Sequence, residues 1–347
     1  MLPFKIINPL LYISPEIAHK LVILALKNGL FPHITPQWHS CLNTHFLSKK
    51  LRTPIGIAAG FDKNAEVIKP ILLMGFGFTE VGTVTKYPQQ GNKIPRIFRL
   101  KKEKAIINNL GFNNKGVKYL ITQINKSNLN NYTFGVNIGI NKDTPDPIKD
   151  FTDVIKEIYG LSSYITINIS SPNTPGLRDF HNKEILTALL ISITKTRKAI
   201  DYAESIPFFL KISPDISDVI KENITTLALK YKISGLIISN TTTQFNNLYG
   251  YSKGGLSGQL LFDLSTRVLS EIYQLSNGQL ILIGCGGISN GLQAYEKIKA
   301  GASLLQLYTA MVYNGINVVN KINKELADIL TSEGFTMIDQ AIGINHK

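Results

Sequence analysis

Eight short apolar runs, at 54–59, 76–84, 134–139, 164–169, 208–212, 235–239, 280–284 and 304–308, constrain this chain more than any other feature. Near-continuous Ile, Val, Leu and Phe over so few residues is the pattern of a strand buried on both faces. The stretches 65–73, 117–124, 148–159, 184–203, 219–230, 261–275, 292–300 and 318–330 instead repeat apolar residues at helical spacing. Strands that alternate with helices make a parallel sheet covered by helices, and eight such units predict closure into a (β/α)8 TIM barrel, an α/β fold. An open, doubly wound sheet is the competing arrangement. Its dinucleotide fingerprint is met only in part, by Gly284-Cys285-Gly286-Gly287-Ile288-Ser289, which ends in serine.

In such a barrel, reactive groups come from the C-terminal ends of several strands. Here those ends are polar. The first run leads into Ala58-Ala59-Gly60-Phe61-Asp62-Lys63-Asn64, the second into Gly82-Thr83-Val84-Thr85, the third carries Asn137 and the fifth carries Lys211. The sixth leads into Ser239-Asn240-Thr241-Thr242, the seventh into Gly286-Gly287 and the eighth into Tyr308-Thr309. The fourth opens the richest stretch, Asn168-Ile169-Ser170-Ser171-Pro172-Asn173-Thr174-Pro175-Gly176-Leu177-Arg178, where prolines and a glycine impose a fixed, non-helical loop on hydroxyl and amide side chains. Taken alone, that stretch is equally readable as a turn whose polar groups satisfy local backbone.

The tips have chemistry in common. Two glycines ahead of a helix, beside Tyr308-Thr309, form the kind of place where barrels hold phosphate on backbone N–H groups. Lys63 and Lys211 near strand ends need an anionic partner to stay charged when buried. Asn108, Asn137, Asn168, Asn173 and Asn240 can each donate and accept, as a ligand built of amides and a carboxylate requires. A flavin and a pyrimidine acid meet these demands.

With 347 residues the chain has room for one large domain and an appendage, or for two domains. Its 37 basic and 24 acidic residues leave a net charge of +13, but no dense Lys/Arg tract, zinc-ligand spacing or RNP-like aromatic run accompanies it, which argues against nucleic acid. Cys41 and Cys285 stand far apart without metal or disulfide spacing, so a reducing compartment is expected. Much of the basic excess falls in residues 1–53, where Ser14-Pro15-Glu16 is a helix start and Gly29 a stop. Ile17, Ala18, Leu21, Val22, Ile23, Leu24, Ala25 and Leu26 cover most of that helix, a wider apolar surface than a simple surface helix carries. Some fourteen residues at ~1.5 Å each fall short of a ~30 Å bilayer core. Two readings remain on this stretch alone: cover packed on the main domain, or an interfacial hairpin whose first helix is residues 1–12.

Together, the motifs quoted above, with Asn108-Asn109-Leu110-Gly111-Phe112-Asn113-Asn114, Gly254-Gly255-Leu256-Ser257-Gly258 and Leu307-Tyr308-Thr309, resemble those of the quinone-dependent, class 2 dihydroorotate dehydrogenases of pyrimidine synthesis, over essentially the whole chain. The resemblance implies a (β/α)8 barrel over residues 46–347 and an N-terminal membrane-associating helical segment over 1–45. It implies FMN held by Ala59, Gly60, Lys63, Thr83, Asn137, Asn168, Lys211, Ser239, Gly258, Gly287, Tyr308 and Thr309. Dihydroorotate would meet Lys63, Asn108, Asn109, Leu110, Gly111, Phe112, Asn168, Asn173, Asn240 and Thr241. Ser171 would be the catalytic base, assisted by Thr174 or a water and by the charge of Lys63; class 1 relatives have cysteine there. His19, Arg99 and Tyr308 would line a path for ubiquinone or menaquinone, with Val22, Ile23 and Leu26 as walls guessed from spacing.

Two positions depart from the family pattern, Ser239 and Asn109, where relatives often carry threonine and arginine. The absence of a transit peptide favours a bacterial protein, expected as a monomer peripheral to the cytoplasmic face of the inner membrane. The segment 175–182 has the look of a lid. Against the flavoenzyme stand a colourless lyase using Lys211 or Lys63 as a Schiff base, and a membrane-associated binding protein without turnover.

Overall fold

The protein, described by a computed structural model over residues 9–30, 35–201 and 205–346, contains a closed barrel of eight parallel strands. They are Ile55–Ile57, Phe78–Val84, Phe134–Ile138, Tyr164–Asn168, Phe208–Ile212, Gly235–Ile238, Ile281–Cys285 and Leu304–Leu307, called the first to eighth strands below, and they pair in that order around the ring. Every one of the eight expected runs coincides with one of them, the seventh strand extending one residue past its run to Cys285. The barrel closes where Leu305, Gln306 and Leu307 of the eighth strand meet Ile55, Gly56 and Ile57 of the first. Residues in strands two to five are buried without exception, which is why their sequence is apolar on both faces.

Helices cover the outside, several begun by a side chain that takes up a free N–H. Asp146 accepts from Lys149, Asn182 from Glu184 and Ile185, Ser217 from Ile220, and Asn290 from Gln293. The helix expected at 65–73 starts later, at Ile68–Leu73, because the Asp62 carboxylate binds the N–H groups of Asn64, Glu66 and Val67 and holds that segment as a loop. The helix expected at 184–203 runs Lys183–Ile200; positions 202 and 203 lie outside the described residues. Of the hairpin expected at the N-terminus, residues 1–8 lie outside them too, Pro9–Tyr12 is a 3-10 turn, and Pro15–Lys27 is the second helix.

Two additions were not legible as strands. A hairpin, Thr44–Phe46 with Lys49–Leu51, closes the N-terminal end of the barrel; Phe46 inserts among Phe78, Tyr164 and Phe209, with ring centroids 5.4–6.0 Å apart. The expected division between 45 and 46 falls inside this hairpin. At the opposite end, Ile97–Leu100, Ala105–Asn108 and Gly255–Gly258 form an antiparallel sheet built from the segments after strands two and six. The N-terminal helix is tied to it: Arg96 grips Glu16 through Nε and Nη2, both at 3.1 Å, and Arg99 donates to the Ile13 carbonyl at 2.7 Å.

Close approach of strands makes some glycines irreplaceable. A Cβ at Gly235 would lie 1.9 Å from the Ile281 carbonyl oxygen on the neighbouring strand, which cannot move without opening the barrel. Gly235→Ala is expected to cost about 2–3 kcal/mol, whereas Gly160→Ala, with open space around its Cβ, should cost about 1 kcal/mol through its positive φ alone. Denaturant midpoints compare the two, and equal losses would refute the steric account.

Candidate active site

A cavity of about 290 Å³ opens at the C-terminal end of the barrel, under the N-terminal helix. Seven strand tips contribute to its wall: Ala58 to Gly60, Thr83, Asn168 with Ser171, Lys211, Ser239 to Thr241, Cys285 to Gly287, and Leu307 to Thr309. Lys63 follows the first tip. Asn108, Leu110, Gly111, Phe112 and Asn173 close one flank, and Ser257, Gly258 and Arg99 come from the antiparallel sheet. Nearly all the residues expected to bind ligands are thereby brought into one space. Asn137 and Asn109 are not in the wall.

Asn137 stands directly behind it. Its Oδ1 accepts from Thr83 Oγ1 at 2.6 Å and from Asn168 Nδ2 at 3.2 Å, so it orients both wall residues. Asn168 Oδ1 in turn accepts from Ser170 Oγ at 3.0 Å, and Ser170 Oγ accepts from Asn240 Nδ2 at 2.9 Å. Asn109 Oδ1 is occupied by Asn92 Nδ2 at 2.9 Å, and its backbone N–H by the Arg96 carbonyl at 2.8 Å. The second departure from the family pattern, Ser239, keeps a hydroxyl in the wall and donates to the Asn240 carbonyl at 2.9 Å.

The two lysines differ in their surroundings. Lys63 is placed by the loop that Asp62 builds and donates to the Gly60 carbonyl at 2.6 Å. Burial, then the charge of Arg96, bring its ammonium down from the usual lysine range to about 8. Lys211 is buried in the cavity wall, and its side chain makes no hydrogen bond or ion pair among the described residues. At one end of the cavity, Gly258 and Gly287 have φ of +98° and +80°, and a Cβ on either would come within 2.5 Å of backbone, from Lys104 and Phe262 respectively. Backbone N–H groups can approach a ligand there because no side chain intervenes. Thr309 Oγ1 stands beside them, 2.8 Å from Ser257 Oγ.

Ser171 Oγ accepts from the Asn173 backbone N–H at 3.3 Å. The partner of this hydroxyl is thus an amide; Thr174, expected as a relay, is buried outside the cavity wall and forms no hydrogen bond with Ser171. Asn173 Nδ2 donates to the Asn108 carbonyl and to Asn108 Oδ1 at 3.1 and 3.2 Å, while its own Oδ1 is buried without a partner among the described residues. The segment 175–182 is folded down rather than extended: Leu177–His181 is a 3-10 turn, and Arg178 donates to the Ser170 carbonyl, to Asp215 Oδ2 and to the Thr241 carbonyl at 3.2, 3.1 and 3.3 Å.

The N-terminal helix presents Pro15, Ala18, His19 and Val22 to the cavity, one stripe at helical spacing. His19 packs edge-on against Phe61 at 5.5 Å, and Phe61 against Tyr308 at 5.7 Å. Burial, followed by the Lys63 charge, lowers the His19 imidazole to about 3, so it is neutral. Two of the guessed walls need correction. Leu26 continues the stripe, but a turn further on, where the helix has passed the cavity and packs on the main core; Ile23 is rotated off the stripe onto the same core.

Some contributors went unread. Glu80, inside the second strand, is fully buried and accepts from Asn137 Nδ2 at 2.8 Å, Gln306 Nε2 at 2.9 Å, and the Tyr164 and Thr166 hydroxyls at 3.1 Å. Four donors fill the lone-pair sites a carboxylate offers. An ionisable residue in the middle of a two-sided apolar strand was the available signal. Arg96, Arg178 and Asp215 offered none, since their partners are 80 and 37 residues away.

Comparison with known proteins agrees with this geometry. Residues 41–330 match the family model described as dihydroorotate dehydrogenase. The chain is 44% identical to the dihydroorotate dehydrogenase (quinone) of Parvibaculum lavamentivorans over 98% of each chain. It is 40% identical to the mitochondrial dihydroorotate dehydrogenase (quinone) of Mus musculus, over 96% of this chain and 88% of that one. The solved ligand-free DHODH of Eimeria tenella superposes with a TM-score of 0.90 at 38% identity, covering 96% of this chain and 99% of that chain. Matched by the family model over 41–330 and 42–44% identical to several dihydroorotate dehydrogenases (quinone) over nearly its full length, the chain belongs to the dihydroorotate dehydrogenase family, in its quinone-dependent class.

Proposed function

We propose that this protein oxidises dihydroorotate to orotate with FMN as its resident cofactor, and that a membrane quinone is the final electron acceptor. The observation that carries the reading is the convergence, in one cavity, of Ser171, the unpaired Lys211 and the glycine cradle around Gly258 and Gly287. FMN fits these residues. Its phosphate suits the cradle with Thr309, Gly287 and Gly258, and its ring edge suits Lys211, Thr83 and Asn168, oriented by Asn137, with Ala59, Gly60, Ser239 and Tyr308 along the wall. When bound, the flavin supplies the hydride acceptor and the link to the quinone.

Substrate would lie against Asn108, Gly111, Phe112, Asn173, Asn240 and Thr241, with its carboxylate drawn to Lys63. Asn109 and Leu110 act by shaping that flank. The reaction removes a proton from C5 and a hydride from C6. Ser171 takes the proton: the Asn173 N–H stabilises negative charge on its oxygen, and the ammonium of Lys63 in the same cavity wall favours the same form. Thr174 then serves as packing behind the loop. Arg178, through Asp215, holds the loop so that Ser171 is positioned.

For the quinone, we infer a path between the N-terminal helix and the barrel, along Val22, the neutral His19, Tyr308 and Arg99. The helix's other face supports attachment at a membrane surface: Ile17 and Leu24 are 54% and 57% exposed, and Tyr12, Ile13, Leu21 and Leu30 are exposed beside them. No helix among the described residues is long and apolar enough to cross a membrane. We read the protein as attached to a membrane surface through this face, and propose a peripheral, monomeric enzyme on the cytoplasmic side of a bacterial inner membrane.

Three outcomes test it. Ser171→Ala should keep a flavin absorbance spectrum yet lose turnover by about 10²–10⁴-fold; full activity would end the assignment. Orotate binding, read from the flavin spectrum, should weaken as pH rises past about 8, because the carboxylate favours the protonated Lys63 that the free protein loses there. The decline should vanish in Lys63→Arg, whose charge does not titrate, and a pH-independent wild type would refute it. Removal of residues 1–40 should cut quinone reduction while leaving reduction of the flavin by dihydroorotate intact, and undiminished quinone turnover would sink the path.

A further inference from the structure

Outside the cavity wall, the helix Gly291–Lys299 carries a lysine that the proposed reaction does not use. Lys297 is fully buried. Its Nζ donates to Ser265 Oγ at 2.8 Å and Thr266 Oγ1 at 2.9 Å and lies 5.2 Å from the centroid of the Phe262 ring. It forms no ion pair among the described residues, so a cation is held out of water by two hydroxyls and a ring. Burial lowers it to about 7, against which Cys285 and Asp263 act only in part. Such an arrangement persists at a cost unless an anion compensates the charge.

The geometry shows where that anion would be. Ser265 Oγ, having accepted from Lys297, turns its own hydrogen to the carbonyls of Phe262 and Gly286, at 3.1 and 3.2 Å. Gly287 is pressed onto Phe262, so that a Cβ would lie 2.5 Å from Phe262 Cα. Lysine, serine and glycine turn are one packed unit, and Gly286 and Gly287 form the cavity wall on its other side. With its carbonyl held back by Ser265, Gly286 turns no free oxygen to the cavity, and the Gly287 N–H has no acceptor among the described residues.

We propose that Lys297 is a positioning residue for a phosphate monoester: it locks the Gly286-Gly287 turn through Ser265 and supplies buried positive charge behind it. In a medium of low effective dielectric that charge reaches the turn with little screening. The inference rests on the flavin reading above and sharpens it, since it assigns recognition of the phosphate, as opposed to the ring, to a residue that touches neither.

The test exploits riboflavin, which has the ring without the phosphate. Holoenzyme is equilibrated with mixtures of FMN and riboflavin, and the ratio of the two retained on the protein gives their relative affinity. Lys297→Met, which keeps the length of the side chain and removes the charge, should lower the preference for FMN by about tenfold or more, with riboflavin affinity within about twofold of wild type. Ser265→Ala should shift the ratio in the same direction by a smaller factor, and it decides the matter if Lys297→Met does not fold. An unchanged ratio in the foldable variants, or an equal loss for both flavins, would overturn the inference and leave the flavin reading standing. A wild type that retains neither flavin would remove both.

Discussion

Everything at the active end depends on a ring of backbone hydrogen bonds that is only a few residues tall. The first strand contributes just Ile55–Ile57, and its register with Leu305, Gln306 and Leu307 completes the circle. Closure removes the exposed edges a parallel sheet would otherwise have. It also forces alternate side chains inward, where the space is filled by Phe46, Phe78, Tyr164 and Phe209 at one level and by Glu80 with its four donors at the next. Above these layers the wall becomes polar, and the chain can present lysines and amides on a rigid rim.

The barrel was legible in sequence because it is set by local pattern: each strand reads as its own apolar run, and the helices between them as apolar residues at helical spacing. The cavity wall was legible because strand tips that pack would not need Asn168, Lys211 or Asn240. What escaped was long-range. The grip of Arg96 on Glu16 and of Arg178 on Asp215 joins segments with no shared pattern. The antiparallel sheet of Ile97–Leu100, Ala105–Asn108 and Gly255–Gly258 pairs four-residue strands from two distant loops, too short to declare themselves. Thr174 and Leu26 were assigned by proximity in sequence to the right neighbours, but a sharp turn and one extra helical turn carry them elsewhere.

The N-terminal helix resolves an ambiguity that periodicity alone left open. Its apolar surface is wide because it has two jobs on two stripes: Pro15, Ala18, His19 and Val22 roof the cavity, while Ile17, Leu21 and Leu24 face outward. Cover and unpartnered surface are both present. Arg96 and Arg99 fasten the N-terminal part of this roof, and Lys27 reaches Glu66 at 3.2 Å near its other end. The roof is thus held by charged and polar contacts along its rim and by apolar packing beneath.

The Phe46 plug has a kinetic consequence. With the barrel stoppered at its N-terminal end by a hairpin and three aromatic rings, molecules reach the interior only from the opposite rim among the described residues. Two reactants served by one such chamber must use separate flanks of a single mouth or occupy it by turns, so the width of that one rim decides whether both can be held at once.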